Sequence, residues 1–196
     1  MKQFIGIFLA TVLAAQLFAG ESSTWKLDRA HSQVKFSVSH LVIAEVSGRF
    51  TDFNVTLSQP GDDFTTSQIQ ATIKTASVNT DVEARDKHLR SDDFLNAEKF
   101  PTMTFTSTSI VKTGEGTYKV KGDLTIRDVT KSVELDTKYN GSIKDPRGNT
   151  KVGFKASTTI NRFDFGVKWN VATEAGGLVA GKEVEITLLM EFGEEK

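Results

Sequence analysis

The sequence contains no cysteine, and that absence excludes disulfide bridges, thiolate metal sites and cysteine nucleophiles. It has no basic block, and its formal net charge is −1, so no electrostatic feature indicates nucleic-acid binding. Beyond the N-terminal region, it lacks an apolar run long enough to span a bilayer. The 196 residues, 38% hydrophobic and 25% charged, are typical of one globular domain.

The N-terminal segment has the pattern of a secretory signal. Lys2 precedes an apolar run from Phe4 to Phe18, and small and polar residues follow from Ala19. The run has about the length of a signal-peptide core and is short for a membrane-spanning helix. We therefore predict that residues 1–19 are a signal peptide and that residues 20–196 form a single domain. An uncleaved membrane anchor is the alternative.

Most of the remaining chain alternates apolar and polar residues. Val34, Phe36 and Val38 alternate with polar residues, and residues 184–192 show the same pattern near the C-terminus. A period of two is typical of a strand with one buried face. About eight such segments, separated by turn signals and with no long amphipathic helix among them, indicate an all-β barrel or sandwich. An eight-stranded barrel is filled by its own side chains or holds one small ligand.

One stretch, residues 84–101, departs from this alternation because ionic residues fill it. We predict a short helical segment near residues 81–98, capped by Thr80 or Asp81 and ended by Pro101, at the mouth of the barrel.

This segment carries three basic residues that are candidates for binding a polar or anionic head group at the barrel mouth, because guanidinium groups bind phosphates well. They are Arg85, His88 and Arg90. The alternative is that they pair with the neighbouring carboxylates, which outnumber them. Arg162 and Asp164 offer a similar choice, either a second charged lip at the mouth or an internal ion pair that fixes a turn.

Residues suited to catalysis or metal binding are sparse. His31 and His40 are an odd number of residues apart, so they face opposite sides of a regular strand, and their spacing fits no common metal site. Asp28, His31 and Ser32 are too close in sequence for a catalytic triad, and no nucleophile-elbow motif is present. We predict no metal site and no catalytic residue, and we interpret Asp28 as a residue that orders the entry to a strand.

Five motifs occur in order along the chain: Asp28–Leu41 (DRAHSQVKFSVSHL), Ala84–Phe94 (ARDKHLRSDDF), Lys99–Phe105 (KFPTMTF), Gly122–Lys131 (GDLTIRDVTK) and Ile160–Gly166 (INRFDFG). Together they resemble the YceI-like family of secreted lipid-binding proteins. The resemblance implies an eight-stranded, antiparallel, lipocalin-like barrel with an elongated apolar lumen. It implies that the lumen holds a polyisoprenoid, such as a polyprenyl phosphate or a ubiquinone-type lipid. It also implies a periplasmic location and a homodimer.

From strand phase and this resemblance, we predict a periplasmic isoprenoid carrier that is not an enzyme and needs no cofactor beyond the bound lipid. The predicted lumen contacts are Phe36, Val38, His40, Phe53, Ile73, Phe94, Phe105, Leu124, Ile126, Phe154, Phe165 and Ile186. The alternatives are a lipid- or quinone-modifying enzyme, with His40 as its best-placed reactive group, and a ligand-free stress or adhesion module.

Overall fold

The computed structural model describes residues 22–60, 63–172 and 177–195, so the predicted signal peptide lies outside the described residues. Within these described residues, eleven strands form one antiparallel sheet. They are β1 (Ser22–Leu27), β2 (Gln33–His40), β3 (Ala44–Phe50), β4 (Phe53–Pro60), β5 (Gln68–Lys74), β6 (Val78–Asn79), β7 (Thr102–Gly114), β8 (Thr117–Ile126), β9 (Val129–Lys144), β10 (Thr150–Asn161) and β11 (Ala180–Glu194).

The sheet closes into an eight-stranded antiparallel barrel, as the sequence predicts. Eleven strands occupy eight positions because three positions each contain two consecutive strands: β1 with β2, β3 with β4, and β5 with β6. The last strand, β11, pairs with β10 on one edge. Its other edge pairs with β2 and then with β1, where Leu27 lies opposite Phe192. That pairing closes the barrel.

The predicted helical segment is present but shorter than expected. Helix α1 (Glu83–Arg90) is followed by turns rather than by more helix. The prediction that Thr80 or Asp81 caps it is wrong, since Val82 occupies the N-cap position and makes no side-chain cap bond. The Asp86 carboxylate instead accepts hydrogen bonds from the Thr80 N–H at 2.8 Å and the Thr80 hydroxyl at 2.6 Å. A helix residue thus accepts hydrogen bonds from Thr80, rather than Thr80 accepting them from the helix. These bonds tie the helix to the segment before it.

The two ends of the barrel differ. We call the end where α1 lies, between β6 and β7, the helix end. At the opposite end, which we call the closed end, a 3-10 turn (Phe64–Thr66) comes before β5. It places the buried Phe64 ring on Phe154, with centroids 4.9 Å apart, and at the same distance from Tyr118. All helical segments in the described part of the chain are too short or too polar to cross a bilayer.

Candidate ligand-binding cavity

A cavity of about 430 Å³ runs along the barrel interior. Its wall extends from Phe64 and Phe192 at the closed end to His40, Arg85 and Val179 at the helix end. This volume lies within the range of small-molecule binding sites. The wall is almost entirely apolar because the inward-facing residues of each strand are Val, Ile, Leu, Met and Phe.

At the helix end, the wall includes the basic side chains of His40, Arg85, His88 and Arg162. Arg85 donates from Nε to the Thr80 hydroxyl at 2.7 Å and from a terminal nitrogen to the Thr80 carbonyl at 2.8 Å. His88 pairs with the Asp93 carboxylate at 2.8 Å. The alternative, pairing with nearby carboxylates, therefore holds for His88, whereas Arg85 has no ion-pair partner among the described residues.

Arg162 is buried, with 5% of its surface exposed. It makes no ion pair with Asp164; instead its guanidinium donates to four backbone carbonyls. The acceptors, at 2.8–2.9 Å, are the carbonyls of Val167, Trp169, Ala180 and Gly181. Burial lowers the pKa of the Arg162 guanidinium, but an arginine side chain stays protonated in proteins. The helix end therefore carries a buried positive charge that no described carboxylate neutralises by direct contact.

Three rings meet at the same end of the cavity. The His88 ring lies edge-on to Phe94 at 5.0 Å and to Trp169 at 5.2 Å, and the Phe94 and Trp169 rings are 5.1 Å apart. Such edge-on and tilted contacts favour one fixed arrangement of the rings. The cluster anchors α1 and the turns after it to the loop that follows β10.

Residues 25–192 match the family model described as the YceI-like domain. The chain belongs to the YceI-like family. A YceI-family relative, the UPF0312 protein SAS2572 of Staphylococcus aureus strain MSSA476, is 37% identical over 171 residues, which cover 87% of this chain and 97% of the relative.

Solved structures agree with the fold. The Campylobacter jejuni YCEI protein has a TM-score of 0.69 and 34% identity, covering 87% of this chain and 97% of its own. Burkholderia cenocepacia BcnA has a TM-score of 0.72 and 22% identity, and the match covers 84% of this chain and 98% of BcnA. A polyisoprenoid binding domain from Saccharophagus degradans has a TM-score of 0.63 and 16% identity, and the match covers 87% of this chain and 98% of that domain. At these lower identities, the last two show the fold alone.

In this YceI-like barrel, every predicted lumen residue except Phe53 lies on the cavity wall. Phe53 is the first residue of β4, and its buried ring lies under the Arg29 guanidinium at 5.2 Å instead. Of the predicted head-group residues, Arg85 and His88 line the cavity. Arg90 does not line it, because its guanidinium reaches Glu83 at 3.0 Å and the Val78 carbonyl. Whether the wall residues contact a ligand stays a prediction.

Sequence reasoning missed several wall and support residues outside the strands. Trp169 and Val179 line the cavity from the loop between β10 and β11, where no alternation marks inward positions. Arg127, in the two-residue turn between β8 and β9, donates to the carbonyls of Phe94 and Gly166 at 3.1 and 3.0 Å. It thereby joins the α1 region to the loop after β10, a role that a lone charged turn residue does not reveal from sequence.

A polar cluster lies apart from the cavity, at the break between β1 and β2. Asp28 accepts hydrogen bonds from the N–H groups of Ala30 and His31, so it orders the strand entry as the sequence predicts. Ligand atoms of Asp28, His31 and Glu191 lie within 4.8 Å of one another, as a metal site would require. However, the Lys151 ammonium already contacts Asp28 at 2.8 Å and Glu191 at 3.4 Å. That hydrogen bond with Lys151 is the main reason why the pKa of Asp28 falls to about 2.

Proposed function

We propose that this protein binds and carries an isoprenoid lipid in the periplasm, with the tail in the barrel cavity and the polar head at the helix end. The observation that supports this most directly is the elongated, almost wholly apolar cavity of about 430 Å³. The polyisoprenoid binding named for the Saccharophagus degradans domain favours the same ligand class. The periplasmic location rests on the signal predicted in residues 1–19.

The ligand class follows from the distribution of polarity along the wall. Burying apolar surface is favourable by roughly 25 cal/mol per Å², so a long hydrocarbon chain is the ligand that gains most from such a wall. An isoprenoid is apolar along its length and polar at one end, which fits an almost wholly apolar cavity with two arginines, Arg85 and Arg162, at the helix end.

The head group is either a phosphate or a quinone, and the charges at the helix end favour an anion. Arg85 and Arg162 both line the cavity without a carboxylate partner among the described residues. Charge-assisted bonds from guanidinium groups to phosphate oxygens are among the stronger hydrogen bonds in proteins. A polyprenyl phosphate would therefore gain more at this end than a neutral quinone.

We propose a binding role rather than a catalytic one. The ring of His40, the best-placed reactive group on the wall, is occupied at Nδ1 by a hydrogen bond with the Val179 carbonyl at 3.0 Å. In the described wall, the hydroxyls are those of Ser39, Thr137 and Thr158, and none belongs to a recognisable nucleophile–base pair. The bound lipid is the one ligand that this function requires, and the homodimer stays a prediction.

Native mass spectrometry of the protein purified from its own cells, with solvent extraction of any adduct, tests the proposal. We expect a discrete adduct that extracts as an isoprenoid. A clean apo mass that persists after incubation with polyprenyl phosphate and with ubiquinone would contradict the proposal and favour the ligand-free module.

Two variant pairs locate the ligand. Ile186→Trp fills the cavity, whereas Glu185→Trp places the same ring on the outer face of the same strand. We expect only the first to abolish lipid retention. Arg85→Gln should weaken polyprenyl phosphate binding by about tenfold and leave ubiquinone binding unchanged. Lys87→Gln, on the exposed side of α1, should change neither.

A further inference from the structure

The turn between β2 and β3 consists of three apolar residues that face solvent. Leu41, Val42 and Ile43 are 42%, 69% and 89% exposed. Turns of this kind usually carry glycine, asparagine or aspartate. Leu41 and Val42 also have positive φ angles of 52° and 69°, a region that β-branched residues avoid. Neither packing nor backbone preference therefore accounts for apolar residues at this tip.

The tip belongs to a larger apolar rim, which we define as Leu41, Val42, Ile43 and Val171. The Leu41 N–H donates to the Val179 carbonyl at 3.0 Å, and the Val179 N–H donates to the Val171 carbonyl at 2.9 Å. Val171 is itself 48% exposed. The rim therefore consists of two chain segments held together by backbone hydrogen bonds.

The apolar rim is continuous with the cavity wall at the helix end. Val179, which joins the two segments, lines the cavity, and so does His40, the residue before the tip. The His40 ring and the Leu41 N–H share the same Val179 carbonyl. The apolar rim and the cavity wall therefore meet at His40 and Val179.

We propose that the apolar rim inserts into the surface of a lipid bilayer and places the cavity mouth against the membrane. This inference rests on the proposed function, because a ligand as apolar as an isoprenoid comes from a lipid phase and not from water. A narrow projecting turn suits the shallow insertion of apolar side chains into the headgroup region. It is too small for a stable protein interface, which buries about 800 Å² on each partner. Since the tip itself carries no cation, we expect its insertion to need no anionic lipid.

The opposite end of the barrel supplies a matched control. Ile143 in β9 is 71% exposed and lies opposite Lys151 near the closed end. Ile43→Ser and Ile143→Ser therefore remove the same exposed side chain from the two ends of the molecule. Both positions face solvent, so both variants should fold, which circular dichroism and thermal unfolding would verify.

The experiment measures partitioning of the purified mature protein, predicted to begin at residue 20, onto phosphatidylcholine vesicles by flotation. The apolar run of residues 4–18 is then absent from all proteins compared and cannot mask the contribution of the rim. We expect wild type and Ile143→Ser to bind equally and Ile43→Ser to bind about tenfold more weakly. Transfer of a fluorescent isoprenoid out of vesicles should slow in Ile43→Ser alone. Equal partitioning of all three proteins, or equal losses in both variants, would overturn the proposal.

A second assay separates this proposal from the proposed function. Isoprenoid supplied in detergent micelles reaches the cavity without a bilayer, so its affinity should be the same for wild type and Ile43→Ser. If wild type binds micellar isoprenoid but ignores vesicles, the rim proposal fails and the carrier function stands. If Ile43→Ser loses vesicle binding while no form of the protein binds isoprenoid, the rim docks on membranes and the carrier function fails.

Discussion

The buried guanidinium of Arg162 allows a quantitative prediction about the loop that follows β10. Arg162→Met keeps a side chain of similar length and flexibility but removes the donors to four carbonyls. Two of these carbonyls, on Val167 and Trp169, lie outside any strand. No hydrogen bond between strands replaces the one that the guanidinium donated to them. A buried polar group left unsatisfied costs about 1–3 kcal/mol. Arg162→Met leaves two such carbonyls unsatisfied, but it also removes the cost of burying a charge. We therefore expect the free energy of unfolding to fall by about 3 kcal/mol.

Urea denaturation followed by circular dichroism measures this loss as a change in the free energy of unfolding. Arg162→Lys should recover only part of it, since three donors on one nitrogen cannot reach four carbonyls spread across two segments. The matched control is Arg147→Met in an exposed turn, which should change the free energy by no more than about 0.5 kcal/mol. An Arg162→Met protein as stable as that control would refute the view that the guanidinium holds the loop.

Three further predictions concern the strands and the closed end. Gly122→Ala places a Cβ against the Phe105 ring, and this overpacking should cost about 1–3 kcal/mol in urea denaturation and reduce lipid uptake. Phe64→Ala removes the ring that stacks on Phe154 and should lower the free energy of unfolding in the same assay by about 3 kcal/mol; an unchanged free energy would contradict the view that this ring holds the closed end. Since the pKa of Asp28 is lowered from 3.8 to about 2, its pairing with Lys151 stabilises the fold above pH 4 and is lost as the pH falls towards 2. Wild type should therefore lose about 1 kcal/mol more than Asp28→Asn over that interval in pH-dependent unfolding, and parallel curves would contradict this.

The alternation was sufficient to predict an all-β barrel or sandwich because a period of two records which face of each strand is buried. The resemblance to the YceI-like family then selected the barrel. Ile73, Phe105 and Phe154 all face the cavity as their phase indicates. Phe53 has the same phase as Val55 and Leu57, which line the cavity, but it is the first residue of β4 and its buried ring packs under Arg29 instead. Phase gives the direction of a side chain but not the distance of that side chain from the cavity.

The helix end was harder to predict because its contacts join loops that are distant in sequence. Arg162 and Asp164 are close neighbours of opposite charge, which suggests an ion pair, yet four carbonyls from two segments surround the guanidinium. Val42 and Ile43 continue an apolar run from Leu41 and give no sequence signal that they project into solvent. Such features depend on loop conformation, which local patterns do not determine.

The double pairing of β11 has a consequence for how the chain folds. Trp25 lies opposite Glu194, so the first and last described strands become neighbours only after the C-terminal segment exists. Until then, the free edges of β1, β2 and β10 expose unpaired backbone groups that can template association with other chains. Contacts between such distant residues also form slowly, because a long loop must close before they are made. Any sheet that forms before the fifteen-residue strand β11 joins it would therefore stay open and prone to aggregation.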